Sequence, residues 1–156
     1  MIKLVRVDHR LLHGQVIFAW TKSEDIERII IIDDKTSTDD FKKMSLKLAK
    51  PEDVKLNVFS TDKAISLIPR IKELPDNIMI LFSNVTEMSK FVTAYGDIKE
   101  VNYGGVPNRD GAKQYSEAVF LTPEEVKESQ NLKAKGITLY IQQVPSSRKE
   151  ILNEKI

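Results

Sequence analysis

A three-layer α/β fold, an open and mostly parallel sheet of about six to seven strands with helices on both faces, is predicted from three features of the chain. Short β-rich runs alternate with amphipathic stretches of about ten to fifteen residues, the spacing of βαβ crossovers. Glu27 to Asp33 encloses four consecutive isoleucines, a β-branched run that only a strand buried on both faces can use. No linker, repeat, low-complexity tract or composition shift interrupts the 156 residues, so the length predicts one domain, residues 1–156, around one core.

The elements follow in order. Ile2 to Val7 is the first strand, and after a short polar loop Gly14 to Lys22 is helical. Ile26 to Ile32 is the central strand. Ser37 or Thr38 can cap a helix that runs through Phe41, Met44, Leu46 and Leu48 to Lys50, where Pro51 stops it. Val54 to Phe59 is a strand, and Ser60 opens a helix over Ala64 to Ile68. Ile78 to Phe82 makes the fourth strand, followed by a helix from about Thr86 to Ala94 that Gly96 terminates. Ile98 to Tyr103 is the fifth strand and Val119 to Leu121 a short sixth. Thr122 and Pro123 mark a helix start, since threonine caps and proline suits the first helical position. Thr138 to Gln142 is the last strand.

Composition excludes several function classes. With 24 basic and 23 acidic residues the charges nearly cancel, and no Lys/Arg block is interleaved with aromatics, so nucleic acid is not an expected partner. The absence of cysteine removes disulfides, thiolate catalysis and thiolate metal sites, and suits a cytoplasmic protein. Charges within the first ten residues argue against a signal peptide, and no run of apolar residues is long enough to span a bilayer.

Ligands of open parallel sheets bind beyond the carboxyl ends of the strands, where helix N-termini offer free N–H groups. The loops there are Asp8 to His13, Asp33 to Thr36, Ser60 to Asp62, Ser83 to Asn84 and Tyr103 to Asp110. The first holds both histidines of the chain, His9 and His13, together with Arg10. A neutral imidazole is abundant near neutral pH and can attack phosphorus without a separate base. Arg10 and the helix start at Gly14 can supply the positive charge and N–H donors that a transferring phosphoryl group needs, and Asp8 can hold the second ring nitrogen or orient Arg10. The competing reading is that a histidine beside Leu11 and Leu12 merely fills or caps; two His and two Arg at one strand's tip are poorly explained by packing.

The run Arg6-Val7-Asp8-His9-Arg10-Leu11-Leu12-His13-Gly14-Gln15-Val16 closely resembles the N-terminal signature of the IIB components of the mannose/fructose/sorbose class of the bacterial sugar phosphotransferase system. Ile29 to Asp34 looks like that family's second strand with its acidic pair, and Val101 to Val106 like its Asn-x-Gly-Gly loop. The resemblance covers essentially the whole chain. It implies a phosphocarrier whose His13 takes phosphate from a phosphohistidine on a IIA protein and gives it to a sugar entering through IIC and IID membrane components. It places Arg10 and Asp8 around the phosphate. Position alone, with no motif behind Ser83, makes Gly14, Gln15, Arg6 and Ser83 further phosphate-binding candidates. The resemblance implies no metal and no organic cofactor, and a cytoplasmic domain peripherally attached to the permease. His9 stands where the family commonly has an acidic or small polar residue, and is expected to be a spectator. Pairing with a second copy of the chain stays open.

Other features weigh less. Asp33 and Asp34 invite comparison with a metal-dependent phospho-aspartate signalling domain, but the acidic pair follows the second strand and no aspartate ends the third, which favours a helix-start role. A non-catalytic module holding a phosphorylated metabolite is the remaining alternative. Ser83 and Asn84 fit either a phosphate contact or an N-cap, and Trp20 is expected as a core or partner-facing anchor.

Overall fold

The computed structural model describes residues 1–156. Its main sheet has seven strands, of which six are parallel. In chain order the elements are β1 (Ile2–Asp8), α1 (Gly14–Ser23), β2 (Arg28–Ile32), α2 (Asp34–Ser37), α3 (Asp40–Ala49), β3 (Lys55–Phe59), α4 (Thr61–Ser66), α5 (Ile68–Glu73) and β4 (Ile78–Phe82). They continue with α6 (Val85–Tyr95), β5 (Glu100–Gly105), β6 (Lys113–Ser116), β7 (Val119–Leu121), α7 (Pro123–Ala134), β8 (Thr138–Ile141), β9 (Glu150–Ile151) and a closing 3₁₀ turn (Leu152–Lys155). The strand order is β3-β2-β4-β1-β5-β8-β9, with β9 antiparallel to β8.

Side-chain alternation divides the interior into two layers. Ile30, Ile32, Ile78, Ile80 and Phe82 join Ala64, Ile71, Met88, Phe91 and Leu132, so α4 to α7 cover one face. Ile29, Ile31, Met79, Leu81 and Leu4 join Ile17, Trp20 and Leu46, so α1 and α3 cover the other. The isoleucine run of β2 supplies both layers at once, as its burial on two faces requires.

The connection leaving β1 runs toward β2 on one side, whereas that leaving β5 runs toward β8 on the other. Adjacent strands whose outgoing loops diverge leave a crevice at their carboxyl ends, and here it opens between β1 and β5.

Four local expectations are revised. The helix after β2 is capped by Asp39, whose side chain accepts from Lys42 N–H at 3.0 Å, rather than by Ser37 or Thr38; Asp33 caps the extra short helix α2. The Ser60-capped helix is brief, because Pro69 offers no N–H and begins a separate helix, α5. The strand Val119–Leu121 lies in a two-stranded hairpin with β6 instead of the main sheet. That hairpin is tied to the end of β5, with the N–H of Val106 donating to Ala118 at 2.9 Å. The main sheet instead gains β9, too short to show any alternation.

Candidate active site

Asp8 ends β1 and organises the β1 loop. Its carboxylate is fully buried and accepts five hydrogen bonds: from the Arg6 guanidinium at 3.0 Å, Arg10 Nε at 3.0 Å, Arg10 Nη2 at 3.1 Å, the Arg10 backbone N–H at 3.1 Å and His13 Nε2 at 3.0 Å. The backbone turns sharply beneath it, with Leu11 N–H donating to the Asp8 carbonyl at 2.9 Å. Leu11 itself takes φ +57°, a left-handed conformation unfavourable for a branched side chain. Burial of Leu11 and Leu12 in the α1 layer offsets that strain and fixes the loop.

Burial by itself would raise the Asp8 pKa. The hydrogen bonds from the Arg10 side chain and backbone, the charge of Arg6 and the bond from His13 outweigh it and hold the group down at about 2. Asp8 is therefore an anion at any physiological pH.

His13 is the N-cap residue of α1, in an extended conformation and with no capping bond from its side chain. The ring is about one-fifth exposed. Nε2 faces the permanently charged Asp8 and so carries the ring proton, which leaves the lone pair on Nδ1, a nitrogen with no partner in the protein. Gly14 follows at φ +40°, a region glycine enters freely, and turns the chain into the helix. No side chain caps the N–H groups of the first turn, so the helix start at Gly14 and Gln15 presents free donors beside the ring. Gln15 is exposed. Arg10 binds Asp8 through one edge of its guanidinium and leaves 42% of the side chain exposed.

Arg6, expected at the phosphate, is completely buried; its charge reaches the site through Asp8. The register that sets Arg6 against Asn102 brings their side chains together, and Arg6 also donates to the Gln142 carbonyl at 2.9 Å. The Trp20 ring lies 5.7 Å from its guanidinium carbon, within cation–π range. Trp20 donates in turn to the Gln143 carbonyl at 2.9 Å, which makes it a core anchor that ties α1 to the loop after β8.

The Asn102–Gly105 segment walls the crevice. A Cβ at Gly104 would land on the Arg6 guanidinium, and one at Gly105 would meet Asp8 Oδ1 at 3.1 Å, so the glycine pair exists because two charged groups lie directly against the backbone. Gly104→Ala is expected to cost about 3 kcal/mol and to lower Tm by roughly 6–12 °C. A thermal melt unchanged from wild type would mean that Arg6 moves aside freely.

His9, 42% exposed, leans on the Gly105 carbonyl through Nδ1 at 3.3 Å and stands 3.9 Å from Asp8. Ser83 donates its hydroxyl to Asp33 and has no bond to the β1 loop. Asp33 caps α2, Asp34 accepts from Thr61 N–H at 2.7 Å and Asn84 caps α6, so these groups hold helix starts beside β2, β3 and β4. Sequence reasoning missed Gln142 and Gln143, whose backbone carbonyls accept from Arg6, Asn102 and Trp20 while the Gln143 side-chain amide donates to the Gly104 carbonyl; no motif marks either residue.

The family model described as PTS system sorbose subfamily IIB component matches residues 2–156. The sorbose-specific EIIB component of Lacticaseibacillus casei is 35% identical over 150 residues, covering 94% of this chain and 92% of its own length. The crystal structure of the IIBSor domain of the sorbose permease from Klebsiella pneumoniae superposes with a TM-score of 0.91 at 32% identity, over 99% of this chain and 95% of that one. The mannose-specific EIIAB component of Escherichia coli K12 is 33% identical over 96% of this chain but only 46% of its own length, so the chain spans about half of that relative. A signature at the tip of β1, a full-length match and a shared fold converge: the chain belongs to the sorbose subfamily of IIB components of the sugar phosphotransferase system.

Proposed function

We propose that this chain carries a phosphoryl group on His13, taking it from a phosphohistidine of a IIA partner and passing it to a sugar delivered by IIC and IID membrane components, at whose cytoplasmic side it docks. The observation that carries the reading is the His13 ring itself, with Nε2 tied to Asp8 and Nδ1 unpartnered beside an uncapped helix N-terminus. No helix of the chain is long and apolar enough to cross a membrane, so the sugar's passage falls to the partners.

The chemistry balances on these groups. The Nδ1 lone pair forms a bond to phosphorus while the donor histidine's N–P bond breaks and its imidazole leaves with the electron pair. The His13 ring then carries both a phosphoryl group and the Nε2 proton, hence a positive charge, which the Asp8 anion 3.0 Å away stabilises. The phosphoryl oxygens lie within the field of the first-turn N–H groups of α1 and the free edge of Arg10. In the second step a sugar hydroxyl oxygen attacks phosphorus, the N–P bond breaks, Nδ1 regains its lone pair, and the hydroxyl proton passes to a base or to water. Arg6 stays beneath as a fixed counter-charge that keeps Asp8 ionised.

Incubation with phosphoenolpyruvate, the general phosphotransferase proteins and a cognate IIA tests the reading. One phosphoryl group per chain is expected, stable in alkali and lost in acid, and ¹⁵N-histidine spectra should locate it on Nδ1. An alkali-labile group would favour an aspartyl phosphate, and no covalent group at all would favour a metabolite-binding module. Arg10→Ala should slow transfer by roughly ten- to a thousandfold, the usual loss of one electrostatic donor to a transferring group; an unchanged rate removes Arg10 from the mechanism.

A further inference from the structure

The two half-reactions differ by one proton. Acceptance from a phosphohistidine exchanges one N–P bond for another and releases none, whereas delivery to a sugar must remove the proton of the attacking hydroxyl. The groups around the phosphate cannot take it. Phosphorylated His13 carries its ring proton on Nε2 and the phosphoryl group on Nδ1, and Arg10 is a cation. Asp8 is fully buried, and all of its acceptor capacity faces Arg6, Arg10 and His13.

His9 is the remaining titratable group of the β1 loop, and its tautomer is set. The ring Nδ1 faces the Gly105 carbonyl at 3.3 Å, and a carbonyl only accepts, so Nδ1 holds the ring proton and Nε2 the lone pair. The His9 backbone N–H donates to the same oxygen at 3.0 Å, which pins the residue to β5. Nε2 has no partner in the protein, and 42% of the side chain is open to solvent. A neutral imidazole with one nitrogen anchored and the other free is the arrangement of a general base. Its place relative to His13 fits as well. The two rings approach one carboxylate through its two oxygens, His9 Nδ1 at 3.9 Å from Oδ1 and His13 Nε2 at 3.0 Å from Oδ2. In-line attack sets the hydroxyl oxygen on the far side of phosphorus from His13, so the base belongs some way off that ring and not against it.

We propose that His9 is the general base of delivery, taking the sugar hydroxyl proton on Nε2, an assignment that rests on the phosphocarrier reading. As the hydroxyl oxygen bonds to phosphorus, the N–P bond breaks and its electron pair returns to His13 Nδ1, while the hydroxyl proton bonds to the His9 Nε2 lone pair. His13 thereby loses its positive charge and His9 gains one. Both rings stand by Asp8, so the anion keeps one imidazolium neighbour throughout, and the positive charge shifts around it instead of arising in isolation. Exposure then lets His9 shed the proton to water.

His9→Asn tests this, because its Nδ2 keeps a donor for the Gly105 carbonyl while the proton-accepting nitrogen is gone. The whole chain is labelled from phosphoenolpyruvate through the general proteins and IIA. It is then mixed, in single turnover, with membranes holding IIC and IID and with mannose, fructose or sorbose as probe sugar. Labelling should proceed at the wild-type rate, since acceptance moves no hydroxyl proton. At saturating membranes, delivery to sugar should slow by about a hundredfold, the lower end of the range for a general base, because a loose transition state leaves the proton on oxygen until late. A wild-type chain that takes no label fails the phosphocarrier reading itself, whereas normal labelling with slowed delivery supports His9. Delivery by His9→Asn within about threefold of wild type would overturn the assignment. So would an equal loss in labelling and delivery, a loss that vanishes at higher membrane concentration and so marks a docking contact, or a wild type that labels and delivers to none of these sugars.

Discussion

His13→Ala should reduce phosphoryl acceptance from IIA to background while leaving the fold intact. The ring is partly exposed and caps nothing with its side chain, so its loss removes one hydrogen bond to Asp8 and little else, a cost of about 1 kcal/mol. What disappears is the only nitrogen placed both on the Asp8 anion and at the uncapped start of α1. His9→Ala should retain most of the label, because its Nδ1 leans on the Gly105 carbonyl and it stands 3.9 Å from Asp8, outside hydrogen-bond range. Quantitative labelling and intact-mass spectrometry of both variants check the pair. Label persisting in His13→Ala and vanishing in His9→Ala would reverse the assignment.

Asp8→Asn should damage both stability and chemistry. An amide removes the one anion beside Arg6, leaving a fully buried guanidinium with neutral acceptors only, at a cost of about 3–5 kcal/mol. It can also offer an N–H to His13 Nε2, which would move the ring proton to Nδ1 and block the attacking lone pair. Replacing the carboxylate that orients a catalytic imidazole in another protein costs about 10⁴ in rate, and a loss of about 10³–10⁴ is expected for transfer here. The pH dependence follows from the same group. The Asp8 pKa is depressed in the folded chain, so its contribution to stability is complete above the ordinary carboxylate value of 3.8 and is lost as pH falls toward about 2. Acid unfolding followed by circular dichroism should therefore be steep between about pH 4 and pH 2 in the wild type and flatter in Asp8→Asn. A variant that transfers within about threefold of wild type would show that tautomer control belongs elsewhere.

The sheet and its central strand were legible because the four isoleucines of β2 admit no other element, and the loop after β1 because charged and imidazole groups crowd a strand's tip. The signals that failed were local preferences overridden by distant partners. Ser37 and Thr38 are good caps in isolation, yet Asp33 already starts a helix there, braced by the Ser83 hydroxyl from the loop after β4. Lys113 to Ser116 has no apolar alternation and becomes a strand only because β7 folds back on it. Arg6 read as a phosphate ligand because it adjoins the loop proposed to hold the phosphate, and its surroundings of Asn102, Gln142 and Trp20 come from three separate segments. Only the register of β1 against β5 reveals that Arg6 is under the site and not in it.

Alternation along β1 also segregates two kinds of mutational risk. Val5 and Val7 sit in the large apolar layer, whereas Arg6 and Asp8 serve the imidazole from the opposite side. Thermal tolerance can thus be retuned through residues such as Ile30, Ile80 and Phe91 without disturbing the proposed phosphoryl site. Change at Arg6, Asn102 or Gly104 carries both penalties together.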